Sequence, residues 1–152
     1  HPQRFEKVAE ICKEHGLKYL KKSDGETCHE YTQVFLLDSL GELPLYFACS
    51  DIAFIGGSMV PAGGHNMLEP ASLALPILSG LHVSNFQYIC DLLQEANAIV
   101  LVENGNELLS NMKQLLENPG LGKQLGKNAK DIVAAHRGAA DQIMSIVSSV
   151  LK

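Results

Sequence analysis

The sequence predicts an α/β protein with a doubly wound, Rossmann-like parallel sheet, and three observations support this prediction. Short runs made only of apolar residues recur along the chain, as in strands that are buried on both faces. Segments with helical spacing of apolar residues separate these runs, which is the alternation typical of a parallel sheet covered by helices. Loops rich in glycine and polar residues follow the runs, where such a sheet binds its ligand.

The order of the elements follows from these patterns. Predicted strands lie at residues 17–20, 34–37, 52–55, 76–78 and 99–102. Predicted helices lie at residues 1–15, 45–49, 86–95, 106–116 and 121–150, with a short helical segment before the fourth strand. Gly16 is expected to end the first helix, Pro44 suits a helix start and Asn106 suits an N-cap. The sequence Asn118-Pro119-Gly120 is expected to end the helix that Asn106 begins.

The composition excludes several classes of protein. A length of 152 residues indicates one domain, and 46% hydrophobic with 19% charged residues is ordinary for a globular protein. The net charge of −5 argues against a nucleic-acid-binding protein, which needs a basic face. The four cysteines have no C-x-x-C spacing, so we expect reduced thiols without a zinc site or a disulfide framework. Cys49 and Cys90 fall on predicted helices and are expected in the core.

The sequence shows no membrane segment. No apolar run reaches the ~20 residues that span a bilayer, and no signal peptide is visible. The chain begins at His1 without an initiator methionine. We therefore expect a soluble fragment of a longer protein, in which a membrane anchor could lie upstream.

The stretch from residue 56 to residue 80 is the most informative part of the chain. Gly56 and Gly57 directly follow a predicted strand, and a second pair, Gly63 and Gly64, precedes a helical segment. Glycine lets a ligand approach the backbone closely, and backbone N–H groups at such a loop hold anions. One pair alone is typical of a turn. Two pairs within nine residues favour a ligand-binding loop, to which Ser58 adds a hydroxyl donor.

The segment that follows allows two interpretations. Asn66 and Glu69 are spaced as in a capping box, and Glu69 would itself sit at the cap if Pro70 were the first helical residue. Alternatively, the Glu69 carboxylate accepts hydrogen bonds from the vicinal hydroxyls of a ribose. From the residues alone, capping is favoured. His65 lies in the same loop, and the absence of a second ligand at suitable spacing excludes a metal site.

Two further polar groups follow predicted strands. They are Asp38, Ser39 and Glu42 after the second strand, and His82, Ser84 and Asn85 after the fourth. Such residues serve as turn and cap residues. The topology also places them at the edge of the sheet where the ligand binds. No nucleophile elbow, Walker sequence or G-x-G-x-x-G motif is present.

Several segments resemble a known family. They are His1-Pro2-Gln3-Arg4-Phe5, Asp38-Ser39-Leu40-Gly41-Glu42-Leu43, Phe54-Ile55-Gly56-Gly57-Ser58, Gly63-Gly64-His65-Asn66-Met67-Leu68-Glu69-Pro70 and His136-Arg137-Gly138-Ala139. In this order they resemble the C-terminal half of the 3-deoxy-D-manno-octulosonic acid (Kdo) transferases of Gram-negative lipopolysaccharide synthesis. The string Gly-Gly-His-Asn-x-Leu-Glu-Pro is specific to that family, whereas a Gly-Gly pair is not.

The resemblance implies the C-terminal domain of a GT-B glycosyltransferase, which has two Rossmann-like domains with the active site between them. Residues 1–152 form one nucleotide-sugar-binding domain in this interpretation. The donor is CMP-Kdo and the acceptor is a lipid A precursor, with no cofactor and no metal. The full-length enzyme works at the cytoplasmic face of the inner membrane, and its membrane contact and acceptor domain lie in an N-terminal part that this chain lacks.

The same resemblance implies a set of donor-binding residues. They are Gly41, Glu42, Gly57, Ser58, Gly64, His65, Asn66 and Glu69. Gly57 and Ser58 fall near the donor phosphate. Asn66 and Glu69 fall near the ribose hydroxyls, and the Gly41-Glu42 turn falls near the cytidine. No catalytic residue is assigned, because the family's general base is a glutamate of the N-terminal domain.

We expect the chain alone to bind CMP weakly and to be inactive in transfer. The family has an arginine immediately before the position of His1, so we expect a phosphate contact to lie upstream of this chain. Two alternatives remain open at this point. One is another GT-B nucleotide-sugar enzyme, a UDP-sugar transferase or an epimerase, and the other is a non-catalytic nucleotide-binding domain.

Overall fold

A computed structural model describes residues 2–136 of the chain. Its α-helices are α1 (Phe5–Glu14), α2 (Leu43–Ala48), α3 (Leu68–Ser72), α4 (Gln87–Glu95), α5 (Gly105–Glu117) and α6 (Pro119–Ala135). Its strands are β1 (Tyr19–Lys21), β2 (Val34–Leu36), β3 (Ala53–Ile55), β4 (Ile77–Ser79) and β5 (Ile99–Leu101), and short 3₁₀ helices span Pro2–Arg4 and Lys22–Asp24. The chain divides into two compact units, His1–Leu45 and Tyr46–Lys152.

The first unit pairs β1 with β2 in parallel, with Tyr19 opposite Val34. Helix α1 packs on both strands and buries Ala9 and Cys12. The helix ends where predicted, because Gly16 adopts a φ of 64°, which residues with a side chain rarely adopt. This short α–β–β arrangement carries the Asp38–Glu42 turn after β2.

The second unit contains a three-stranded parallel sheet in the order β3-β4-β5. Phe54, Leu78 and Val100 lie level across the three strands. The predicted α/β class with parallel strands is therefore confirmed. The strands are hydrogen-bonded into two sheets, one in each unit, and the organisation of the units as one domain stays a prediction.

Apolar side chains cover both faces of this sheet. On one face, Ile55, Ile77 and Ile99 pack against buried residues of α3, α4 and α6. On the other, Leu78 and Val100 pack against α5 and α6. Alternate residues of a strand point to opposite faces, so the all-apolar runs in the sequence are explained by burial on both sides.

Helix α6 approaches the chain between α3 and β4 very closely. A Cβ atom added to Gly126 would lie 1.8 Å from the carbonyl oxygen of Ala74. Ala74 itself adopts a positive φ of 59°, and its N–H donates to Ala71 O at 3.0 Å. Only a glycine fits at this crossing of the helix over the backbone.

Two predicted helix ends differ from the structure. The N-cap of α5 is Asn104, whose side-chain oxygen accepts hydrogen bonds from the N–H groups of Asn106 and Glu107 at 3.0 Å each. Asn106 is therefore a residue of the first turn, and its prediction as the cap was wrong. Helix α6 begins at Pro119 rather than at the predicted residue 121. Asn118 is its N-cap, and the side-chain oxygen of Asn118 accepts a hydrogen bond from the N–H of Leu121.

The long helix predicted over residues 121–150 is described as far as Ala135, where α6 ends. The remainder of that prediction, and the motif residues 137–139, lie outside the described residues. Within residues 2–136, no helix combines the length and the apolar character needed to cross a membrane.

The cysteines have different environments. Cys90 is buried in the core of the second unit as predicted, and burial raises the pKa of its thiol. Cys49 is exposed just after α2, so the prediction that it belongs to the core was wrong. Cys12 is also buried and Cys28 is exposed, and all four are free thiols.

Candidate functional site

The loops after β3 and β4 lie at the same edge of the second unit's sheet, because the strands are parallel and adjacent. We call residues 56–66 the glycine loop and residues 80–85 the second loop. Parallel sheets bind ligands at this carboxyl edge. The site is therefore built from these two loops and the short helix α3 that follows the first.

Ser58 joins the two loops from the inside. Its side chain is fully buried, its hydroxyl donates to Ile55 O, and its oxygen accepts from the N–H of Gly80 at 2.7 Å. The carbonyl oxygen of Ser58 accepts from the N–H of His82 at 2.9 Å. A Cβ atom on Gly80 would lie 2.2 Å from that carbonyl oxygen, so the loops meet without intervening side chains. The Ser58 hydroxyl is thus engaged within the protein.

The two glycine pairs are brought together by folding. Gly57, Gly63 and Gly64 adopt φ values of 71°, 89° and 72°, which favour glycine. The N–H of Gly64 donates to Gly57 O at 3.2 Å, which closes the loop on the end of β3. The His65 ring lies over the first pair, since a Cβ atom on Gly56 would be 3.4 Å from His65 Cδ2. These positions form one compact turn with the half-buried Gly57 at the end of the strand.

Asn66 and Glu69 interact directly. Asn66 Nδ2 donates to Glu69 Oε1 at 3.1 Å, and Asn66 Oδ1 accepts from the N–H of Leu68 at 3.0 Å. The N-cap position of α3 is Met67, and Pro70 is the third residue of the helix rather than the first. The Asn66 side chain therefore serves the start of α3, whereas Glu69 is held by Asn66 and does not cap the helix.

The same pattern, Asn-x-x-Glu, occurs at the start of α5 and shows what a complete cap looks like. There Asn104 Nδ2 donates to Glu107 Oε1 at 3.3 Å, as in the first case. The second oxygen of Glu107 accepts from the N–H of Glu103 at 2.9 Å. Within residues 2–136, the corresponding oxygen Oε2 of Glu69 has no hydrogen-bond donor. A half-buried carboxylate with one oxygen left over is suited to binding a hydroxyl of a ligand.

The remaining predicted residues, Gly41 and Glu42, lie in the first unit. Glu42 Oε2 accepts from Lys22 Nζ and from Ser39 Oγ, and the Lys22 hydrogen bond is the main reason that the pKa of Glu42 is lowered. Gly41 permits the turn through its φ of 84°. Lys22 was not predicted from the sequence as a partner of Glu42, although its position directly after β1 was a usable signal.

Asp38 closes the same turn from the other side. Its carboxylate accepts from the N–H and the hydroxyl of Ser23, with the N–H contact at 2.9 Å. The hydroxyl contact is the largest cause of a lowered pKa at Asp38. Asp38 and Glu42 thus bind partners that follow β1, and both support the shape of the turn.

Removing the Lys22 amine is expected to raise the pKa of Glu42. In Lys22→Met the carboxylate loses its strongest hydrogen bond, and its pKa should move up toward the ordinary range of a glutamate. Because the folded-state pKa is lowered, this contact stabilises the protein above the ordinary pKa and is lost as the pH falls through the lowered one. Carboxyl-detected NMR titration measures the change. Ser39→Ala should give a smaller upward change, and an equal or larger one would contradict the assigned order of causes.

A cavity in the second unit lies at the other edge of the sheet. Its volume is about 270 Å³, and it is lined where β3 and β4 begin, by Ile52, Pro76 and Lys123 among others. It therefore does not involve the glycine loop. Within residues 2–136, no three His, Cys, Asp or Glu side chains are grouped to hold a metal ion.

The structure brings Gly57, Ser58, Gly64 and His65 together, and it joins Asn66 to Glu69. Gly41 and Glu42 belong to the first unit. Their participation in one site with the glycine loop stays a prediction. Sequence reasoning did not identify the role of Asn85, whose side chain lies against Gly63.

Comparisons with known proteins point to one family. No protein-family model matches the chain. The chain is 35% identical over 153 residues to the 3-deoxy-D-manno-octulosonic acid transferase of Haemophilus influenzae. This match covers 100% of this chain and 36% of that protein. It is 32% identical over 152 residues to the transferase of the same name from Bordetella pertussis, covering 99% of this chain and 36% of that protein. The chain thus spans 36% of the length of these curated relatives.

A solved structure is also similar. The crystal structure of the C-terminal CMP-Kdo binding domain of WaaA from Acinetobacter baumannii superposes with a TM-score of 0.84 and 38% sequence identity. The match covers 88% of this chain and 69% of that chain. The α/β fold described above is therefore also that of an experimentally determined domain.

Proposed function

Because the chain belongs to the 3-deoxy-D-manno-octulosonic acid (Kdo) transferase family, we propose that it is the donor-binding domain of a GT-B glycosyltransferase. The chain binds the CMP part of CMP-Kdo, and the full-length protein transfers Kdo to a lipid A precursor. The observation that carries this proposal is the similarity across most of the chain to a CMP-Kdo binding domain. The Oε2 oxygen of Glu69, at the carboxyl edge of the sheet, accepts no hydrogen bond from the residues that the structure describes, and this supports the proposal.

Each part of the site has a role in this proposal. The backbone N–H of Gly57 approaches the donor phosphate where no side chain intervenes. Gly64 shapes the loop by donating its own N–H to Gly57 O. Ser58 shapes the loop through its buried hydroxyl and lies near the phosphate through its backbone. Asn66 orients Glu69, whose carboxylate accepts hydrogen bonds from the ribose hydroxyls.

The chemistry follows from charge. When the acceptor hydroxyl attacks the anomeric carbon, CMP leaves and its phosphate gains negative charge. Backbone N–H groups aimed at that phosphate stabilise the transition state more than the ground state. The base that removes the proton from the acceptor is assigned to a glutamate of the N-terminal domain, so the chain alone does not catalyse transfer. Its binding of CMP alone is weak.

The proposal for the full-length enzyme also includes the acceptor, the N-terminal domain and the membrane. The acceptor and the N-terminal domain face the donor across the cleft of a GT-B enzyme. The enzyme acts at the cytoplasmic face of the Gram-negative inner membrane, where its acceptor is found, with membrane contact through the N-terminal part.

Nucleotide titration tests the proposal. In ¹⁵N-labelled chain, CMP at millimolar concentration is expected to shift the amide signals of Gly57, Asn66 and Glu69. UDP and GDP should shift them less, because the cytosine is part of what is recognised. The amides of Asn104 and Glu107, in the second Asn-x-x-Glu segment, serve as the internal reference and should not move. Preference for UDP would indicate another nucleotide-sugar enzyme, and no response to any nucleotide would overturn the binding proposal for this chain.

A further inference from the structure

The second loop supplies a side chain that supports the glycine loop from outside. A Cβ atom added to Gly63 would lie 2.4 Å from Asn85 Nδ2 and 2.6 Å from Asn85 Cγ. The amide of Asn85 therefore occupies the space that a side chain at Gly63 would fill. Asn85 also donates its main-chain N–H to Gly63 O at 3.0 Å, and its Nδ2 is 3.5 Å from Ala62 O.

A helix-capping role does not explain this asparagine. Asn85 precedes α4, and asparagine is favoured at helix N-caps. The N-cap of α4 is Phe86, and no side chain makes a cap hydrogen bond there. The Asn85 side chain is instead directed at the residues 62–63 of the glycine loop, in a contact that joins positions 22 residues apart in the chain.

The turn that Asn85 supports leads directly to the proposed nucleotide contacts. Gly64, the next residue, is tied to the end of β3 through Gly57 O. Two residues later, Asn66 binds the Glu69 carboxylate. A shift of the Gly63–Gly64 peptide therefore displaces both the backbone proposed to meet the phosphate and the pair proposed to meet the ribose.

We propose that Asn85 is a positioning residue for nucleotide binding, which holds the Gly63–Gly64 turn in its binding shape. This inference rests on the proposed function for its ligand. Asn85 acts through the glycine loop and not by touching the nucleotide. Its removal changes the loop locally, because the side chain is exposed and contributes little to the core.

The test uses the 152-residue chain and two readouts, one of which needs no ligand. The first is hydrogen exchange of the Gly64 amide, compared with that of Val102, whose N–H donates to Ser79 O at 2.9 Å in the core. The second is the dissociation constant for CMP from NMR titration. Asn85→Ala is expected to accelerate Gly64 exchange while Val102 is unchanged, and to weaken CMP binding by about fivefold to tenfold.

A matched control is available in Asn128. Its Nδ2 also donates to backbone carbonyls, those of Ala96 and Asn97 at 3.1 and 3.0 Å, before β5 begins. Asn128→Ala is expected to lower the melting temperature without changing Gly64 exchange or CMP affinity. Asn85→Asp keeps the size of the side chain and removes the N–H donor, and it serves as the second variant if Asn85→Ala does not fold.

Each outcome decides the proposal. Faster Gly64 exchange together with weaker CMP binding supports it. Unchanged exchange overturns it, and if affinity falls in that case Asn85 touches the nucleotide directly. Faster exchange with unchanged affinity also overturns it, because the shape of the loop is then irrelevant to binding. If the unaltered chain binds no nucleotide, the proposed function fails for this chain, and Gly64 exchange alone decides whether Asn85 positions the loop.

Discussion

Gly126→Ala is expected to destabilise the second unit severely. The added methyl group would overlap the carbonyl oxygen of Ala74 at 1.8 Å. That carbonyl cannot move easily, because Ala74 has a positive φ and its neighbour Leu75 donates its N–H to Pro70 O. Alanine normally gains about 1 kcal/mol over glycine inside a helix. The overlap should outweigh this gain and leave a net loss of about 2 kcal/mol or more in the free energy of unfolding.

Urea denaturation followed by circular dichroism measures the change, and Gly122→Ala is the matched control. Gly122 lies on the same helix one turn earlier and is also buried. Its added Cβ would meet Pro76 Cγ at 3.6 Å, an ordinary contact distance. Gly122→Ala should therefore be neutral or slightly stabilising. If Gly126→Ala were as stable as the Gly122 variant, the close crossing of α6 over Ala74 would be wrong.

Glu69→Gln is expected to abolish most CMP binding while the chain stays folded. The N–H groups at the start of α3 depend on Asn66, not on Glu69, so neutralising the carboxylate does not remove a cap. A ribose hydroxyl bound to the carboxylate would lose a hydrogen bond to a charged group. Such bonds contribute about 1.5–3 kcal/mol, so affinity for CMP should fall by about tenfold to a hundredfold.

Glu107→Gln provides the comparison, since Glu107 occupies the equivalent place in the other Asn-x-x-Glu segment. Both of its carboxylate oxygens are engaged at the start of α5. Its neutralisation should lower stability modestly and leave CMP affinity unchanged. The opposite result, in which Glu69→Gln unfolds the chain and Glu107→Gln does not, would return Glu69 to the role of a structural cap. Melting curves and NMR titration of both variants decide between these results.

The strands could be predicted well because a strand that is buried on both faces consists of a short run of apolar residues. The runs at residues 52–55 and 99–102 each contain a strand of the three-stranded sheet, and the run at residues 76–78 overlaps β4, which extends to Ser79. Helix ends were harder to predict from the sequence. Asn104 and Asn106 are both good N-cap residues, and which of them caps α5 depends on the path of the loop after β5. The chemistry of single residues does not specify that geometry.

Much of the candidate site depends on contacts between residues far apart in sequence. The glycine pairs and the Asn66–Glu69 spacing were visible in the sequence because their partners are local. The bond between Ser58 and Gly80, and the packing of Asn85 on Gly63, each join positions 22 residues apart. No local pattern encodes such pairings, which arise only when β3 and β4 are placed side by side.

The buried hydroxyl of Ser58 also affects the entropy of ligand binding. Because it is hydrogen-bonded to Ile55 and Gly80 in the free chain, this part of the loop is held in place before a nucleotide arrives. Fixing a backbone residue costs about 1–2 kcal/mol in conformational entropy, and here that cost falls on folding. Binding to such a preorganised loop requires little rearrangement. The affinity of the free chain for a nucleotide is then limited by the number of contacts that this chain itself makes with the nucleotide. It is not limited by the cost of ordering the loop.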